Sequence, residues 1–241
     1  MLYLLWDTEG QLETFFRTFA VAYSKTIHMN LHRTDAYADY DGDAVEKELK
    51  RRLWWHLTST DLLHAGIPGK REGVYSINPN QICVKYPPNH DDDSIYYRAS
   101  LGTGVPLDQP TDMCYFLWRL KFAELCREVL DAMQKVKPGS SSASYELTVQ
   151  LSQRYMAFLG ELPWFFRPDM GAELKISRLA VQRPYILRQR TALLFGVFSR
   201  LGRLHRPFIA QGMKDSKFAT SYKSGIYCAE NLFKLRHKGC G

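Results

Sequence analysis

Three observations predict an all-α fold for this 241-residue chain. Apolar residues recur at three- and four-residue steps through several long stretches, the spacing of one helix face. Gly and Pro gather in one region, 66–112, and leave the periodic stretches largely unbroken. No alternating strand pattern lasts beyond a few residues, and Ile82 to Tyr86 is the best candidate.

Taken in order, Leu12 to Leu31 carries Phe15, Phe16, Phe19, Tyr23 and Ile27 at helical spacing. Asp43 followed by Glu46 forms an Asp version of a capping box, so the next helix should start near Ala44. Gly66 and Pro68 should end it. Val45, Leu49, Leu53, Leu57 and Trp54 make a broad apolar face on this helix, and Asp61 falls on the same face. Trp55 and Leu62 lie on another side, so little of the helix is left for solvent. A buried carboxylate needs a partner, and Arg33, Arg51 or Arg52 is expected to supply it. Glu48 stands one turn before Arg52, the favourable order for a helix ion pair. Residues 66–112 then form a long Pro/Gly-rich connection. Phe116 to Val136, Tyr145 to Leu159 and Tyr185 to Leu204 complete the periodic stretches. Pro184 stands where a first-turn proline does no harm. Pro138-Gly139 followed by serines reads as a flexible linker. The predicted layout is an N-terminal block 1–137, a Ser-rich linker 138–144 and a C-terminal helical block 145–241.

The charge is uneven. Residues 1–120 hold 12 Lys and Arg against 16 Asp and Glu, whereas 121–241 hold 20 against 9. From Leu174 to Met213 there is no acidic residue. Lys175, Arg178, Arg183, Arg188, Arg190, Arg200, Arg203 and Arg206 fall there, with Tyr185, Phe195 and Phe198 between them at core spacing. Such a half suits an acidic partner. The five cysteines are scattered, with no Cys-x-x-Cys pair, which points to reduced thiols inside the cell. The apolar start is ended by Asp7 and Glu9, and no later run approaches the roughly 18 residues of a membrane span. The protein is expected to be neither secreted nor membrane-bound.

Several chemistries fail on inspection. Asp39, Asp41, Gly42 and Glu48 fit positions of a calcium loop, but its first position would be Tyr37. His28 and His32 have zinc-helix spacing, but Met29 stands where the Glu is needed, and two partly buried histidines are expected instead. Asp91-Asp92-Asp93 begins like a diphosphate-metal site and lacks its remaining acidic positions. No nucleophile elbow, phosphate loop or dinucleotide fingerprint occurs. No catalytic or metal-ligating residue is predicted.

What remains is an ordered set: Leu31-His32-Arg33; Glu48 with Arg51, Arg52, Trp54 and Trp55; Asp61; Pro87, Asn89 and Asp92; then His205-Arg206-Pro207-Phe208, Ser221 and Ala229. This order resembles the fungal-specific transcription factor domain, or middle homology region, of zinc binuclear-cluster transcription factors. Leu162-Pro163 is similar to the Leu-Pro that ends a preceding helix there. One departure is Met29-Asn30 where the family has Leu-Gly. The resemblance implies a non-enzymatic all-helical regulatory domain acting in the nucleus through a small-molecule effector, a co-regulator or a homodimer. The Trp-Trp helix and the second block are expected to pack as one core. DNA and zinc would be bound only by a separate six-cysteine module, which this chain lacks, so it reads as a fragment or a truncated regulator with no cofactor of its own. The alternative is a stand-alone all-α small-molecule-binding protein or enzyme with a helical pocket.

Overall fold

The computed structural model describes residues 9–36, 43–69, 71–97, 104–135, 141–168 and 173–238. They form helices α1 (Glu9–His28), α2 (Ala44–Ala65), α3 (Asp93–Tyr97), α4 (Cys114–Gln134), α5 (Ser141–Glu161), α6 (Glu173–Gln182), α7 (Ile186–His205), α8 (Ile209–Gly212) and α9 (Ala219–Lys238). Short 3-10 turns cover Leu31–Arg33, Pro79–Gln81, Arg206–Phe208 and Ser216–Phe218. The described residues contain no strand, and the fold is all-α. Ile82 to Tyr86 is extended but unassigned, because its partner is a 3-10 turn rather than a second strand.

α2 starts at the predicted residue, with the Asp43 carboxylate accepting the Val45 N–H at 3.0 Å. It stops at Gly66, whose φ of −81° is not left-handed, so the glycine closes no Schellman turn. The last carbonyls of α2 find donors elsewhere. Ser141 already belongs to α5, so the linker expected over 138–144 is helical from that residue on, and 136–140 lie outside the described residues.

The interior falls into two clusters rather than the single core expected. One gathers Leu31, Trp54, Trp55, Leu57, Ile77, Val84, Leu117 and Leu120. The other lies among α4, α5, α7 and α9 and includes Trp118, Phe122, Phe158, Phe165, Phe198 and Leu201. α2 and α4 serve both: Trp54 and Leu117 face the first cluster, and Leu62 and Trp118 face the second. The reason is helical rotation. A 22-residue helix turns its stripe far enough to present different sides to different neighbours. Leu49 and Leu53, assigned to the buried face, are instead 52% and 47% exposed. Trp55 takes the buried place, because the 82–86 run covers its side of the helix. α7 and α9 pack antiparallel as the most extensive helix pair. Gly202 permits the approach, since a Cβ there would lie 3.2 Å from the Cys228 Cβ.

Candidate functional site

The chain leaves α1 through Asn30, whose φ of 56° is left-handed. Asn tolerates that conformation better than other non-glycine residues, which explains how it can stand where the resemblance puts Gly. The reversal drives Leu31 into the core at 1% exposure. The His32 carbonyl accepts the Cys83 N–H at 2.8 Å, and the Cys83 carbonyl accepts the Asp35 N–H at 3.0 Å. The 82–86 run is thereby fixed across α2. There the Trp55 indole donates to the Lys85 carbonyl at 3.0 Å and stacks on Tyr86 at 4.5 Å. Trp54 is 1% exposed, near Tyr23 and His32. Arg33 points outward and bonds no carboxylate among the described residues.

The motif charges form a continuous path. It begins at Asp35, a residue the sequence reading passes over. Its carboxylate receives the Arg51 guanidinium through two bonds (one of them 2.9 Å), the Lys85 N–H at 2.8 Å, and Lys47 at 3.6 Å. Burial alone would raise this carboxyl, but Arg51 and the Lys85 N–H outweigh it and hold the group below its ordinary value. Arg51 also lies 3.8 Å from Glu48, which is fully buried and accepts from Arg52 Nε at 2.9 Å. Burial pushes the Glu48 carboxyl up in spite of both arginines. Arg52 continues to Asp92 at 2.7 Å. The Asp92 N–H bonds the Asp112 carboxylate at 3.0 Å, and the Asp112 N–H bonds Asp91 at 2.9 Å. Arg183 closes the path from the C-terminal block by gripping Asp91 at 2.9 Å and Asp112 at 3.0 Å, and Tyr185 donates to Asp112 as well.

Asp61 stands apart from this path. Its carboxylate accepts the N–H groups of Ser76 at 2.6 Å and Ile77 at 2.8 Å. The cation expected from Arg33, Arg51 or Arg52 is not its partner, because Arg51 and Arg52 lie two and a half to three turns back along α2 and Arg33 lies outside it. Buried Asn89 fastens the long connection. It donates to the Pro106 carbonyl at 2.9 Å and accepts from Thr111, while its own carbonyl receives the Val105 N–H at 3.0 Å. Gly104 faces it at a φ of 81°, where a Cβ would lie 2.6 Å from the Asn89 nitrogen. Pro87 is buried beside these residues.

In the second block His205 is fully buried, with Ser221 Oγ at 2.9 Å on one ring nitrogen and Ser152 Oγ at 2.8 Å on the other. Desolvation lowers its pKa to about 4, so the ring is neutral at pH 7. Phe208 packs on Tyr145 and Phe218, while Arg206 and Pro207 face outward. Arg200 and Arg203 reach from α7 to the end of α2, donating to the carbonyls of Leu63 and Gly66 at 2.8 Å each, and Arg203 also meets Glu72. Half of the basic stripe is thus used within the fold: Arg183, Arg190 on the Arg167 carbonyl, Arg200 and Arg203. Phe198 is buried, whereas Phe195, also given core spacing, is 55% exposed.

The remaining sites hold little chemistry. Asp39, Asp41 and Gly42 lie outside the described residues. His28 is exposed, not partly buried, because it ends the outer face of α1. Among the described residues no group of three or more His, Cys, Asp or Glu could hold a metal ion, and no helix is long and apolar enough to cross a membrane. A cavity of about 810 Å³ opens between α1, the Leu31–Arg33 turn and residues 77–83, with His32 and Trp54 on its wall. Among the described residues neither the Trp54 indole N–H nor His32 Nδ1 has a hydrogen-bond partner.

The pairings of Asp35, Asp91, Asp112, Arg183 and Tyr185 escape sequence reasoning because they join residues far apart in the chain. The donors to the α2 carbonyls carry no local signal either, because Gly66 reads in sequence as a left-handed cap and only the fold shows that it is not one.

No family model and no solved structure matches the chain. Curated relatives do. The chain is 31% identical to the probable transcription factor lepB of Aspergillus flavus, over 97% of this chain and 42% of the relative. It is 29% identical to the agnestins biosynthesis cluster transcription factor AgnL11 of Paecilomyces divaricatus, over 94% and 32%. It is 27% identical to the transcription factor TAS2 of Pyricularia oryzae, over 92% and 28%. The chain spans less than half the length of each of these relatives, and over nearly all of its own length it is homologous to fungal transcription factors.

Proposed function

We propose that this chain is the regulatory, middle-homology part of a fungal zinc-cluster transcription factor and acts in the nucleus without catalysis. The observation that carries the reading is the charged path from Asp35 to Arg183. It joins the motif residues Glu48, Arg51, Arg52 and Asp92 of the first block to the second block. A domain that only fills space needs no such path, since buried ion pairs contribute little net stability against apolar packing. A domain that switches between two packings can use one, because exchanging charged partners gives discrete states. The homology to transcription factors supports the same reading. DNA and zinc belong to a cluster module outside these 241 residues. The cavity beside His32 and Trp54 supports a small-molecule effector entering at the first block.

The test is a fusion of this chain between a heterologous DNA-binding domain and an activation domain, read on a reporter in yeast. Reporter output should differ several-fold between wild type and Arg183→Ala at equal protein level. Equal output from both, with both folded, would defeat the reading.

A further inference from the structure

α7 and α9 leave an apolar groove of about 510 Å³ at the N-terminal end of α7. Thr191 and Phe195 line it from α7, and Ala229, Leu232, Phe233 and Arg236 from α9. Phe195 is 55% exposed and Phe233 is 63% exposed. Leu187, two turns before Phe195, extends the strip at 46%. Large apolar groups side by side in solvent mark a contact surface rather than scattered surface residues.

The charge around the groove is of one sign. Arg236 lines it from α9, and exposed Arg188 continues the Thr191–Phe195 strip one turn earlier on α7. From Leu174 to Met213 there is no acid, and Glu230 is the one acidic residue of α9. Neither Arg188 nor Arg236 bonds a carboxylate among the described residues. This contrasts with Arg183 and Arg203, which do. A second copy of the chain would bring the same positive charge to the same place, which like-charge repulsion disfavours. A nucleic acid would find two phenyl rings there, but the rest of the floor is aliphatic and follows two helices. That floor matches an apolar stripe repeating at i, i+3, i+4 and i+7 better than it matches a row of bases.

We propose that the α7–α9 groove is a docking site for an acidic amphipathic helix, its apolar stripe on Phe195 and Phe233 and its carboxylates on Arg188 and Arg236. This does not depend on the transcriptional reading. A helix bound there would bridge the antiparallel pair that carries His205 and Ser221 farther along.

The experiment uses the full chain and a designed peptide of about 15 residues, with Leu and Phe at i, i+3, i+4 and i+7 and Glu elsewhere. Fluorescence anisotropy should show saturable binding that weakens as salt shortens the screening length. The F195A/F233A double variant should weaken it by about tenfold or more, as hot-spot truncation does. Both side chains are exposed, so the thermal midpoint should stay unchanged and report intact folding. R188E together with R236E should transfer the preference to a Lys-for-Glu version of the peptide. The proposal is overturned by no binding of the Glu peptide, by equal binding of both peptides to the native chain, or by binding that F195A/F233A leaves unchanged. It is equally overturned if the groove variants abolish self-association or oligothymidylate binding and leave peptide binding intact.

Discussion

Replacing Asp61 by Ala removes the acceptor of two backbone N–H groups, those of Ser76 and Ile77. Ile77 is buried and its N–H has no water to turn to, whereas Ser76 is exposed. A hydrogen bond to a charged group contributes about 1.5–3 kcal/mol, and stranding a buried donor costs about 1–3 kcal/mol. Counting the full cost at Ile77 and little at Ser76, less the relief of a desolvated charge, the loss is about 2–3 kcal/mol. In a chain of this length that lowers Tm by roughly 5–10 °C. Urea unfolding of wild type, Asp61→Ala and Asp61→Asn at pH 7 is the assay. Asn keeps a carbonyl acceptor, so it should cost less than half as much as Ala. Were a cation the partner, Asn would cost as much as Ala, because the charge is what a cation needs. Equal losses, or an Ala loss below about 0.5 kcal/mol as for an exposed pair, would refute the reasoning. The pH dependence has a definite sign. Burial raises the Asp61 carboxyl above 3.8 despite its two N–H donors. An acid raised by folding stabilises most below its unfolded value. Wild type should therefore lose ground to Asp61→Asn as pH climbs from 3.8 through the raised value.

Four further outcomes follow from single contacts. Asn30→Ala should cost about 1 kcal/mol and Asn30→Gly nothing or a slight gain, by the left-handed φ, measured in the same unfolding assay. Gly104→Ala should cost more than about 2 kcal/mol, since left-handed strain adds to a clash with the Asn89 backbone; a crystal structure would show residues 104–106 displaced. A double-mutant cycle on Asp112→Ala and Arg183→Ala should give a coupling of about 1 kcal/mol, kept small by partial exposure, and zero coupling would remove the last link of the charged path. Stability should fall as pH drops from 6.5 toward 4, because the unfolded His205 takes up a proton before the buried one does. The full effect is about 3 to 3.5 kcal/mol, and His205→Gln should flatten that window.

Helix positions are legible in this sequence because each is written locally: the Asp43 cap, the Pro184 start and the period of Phe116 to Val136 depend on near neighbours. The motif residues Glu48 and Arg52 are legible for the same reason, one turn apart on one helix. Asp35, Asp91, Asp112 and Arg183 are not, because their pairing depends on how the 66–112 connection folds back, and nothing nearby in the chain encodes it. Burial of Asp61 could be inferred from its face, but the nature of its partner could not. A carboxylate accepts from a backbone N–H as readily as from an arginine, and every residue but proline carries the former. Leu49, Leu53 and Phe195 fail differently. Apolar periodicity identifies a face that avoids water without saying whether this chain or another molecule covers it.

α2 is held at both ends by other parts of the chain. Asp35 holds Lys47 and Arg51 in its first two turns, and Arg200 and Arg203 occupy the carbonyls of Leu63 and Gly66 at its finish. Most helices fray from their termini, one turn at a time. A rod of about 33 Å clamped at both ends has no loose end from which to begin. Its amides should therefore exchange with solvent in one cooperative opening, terminal turns included, and that opening should require α7 to let go first. Loosening α7 would then be felt at Asp35, toward the other end of the rod, as a drop in the protection of the first turns.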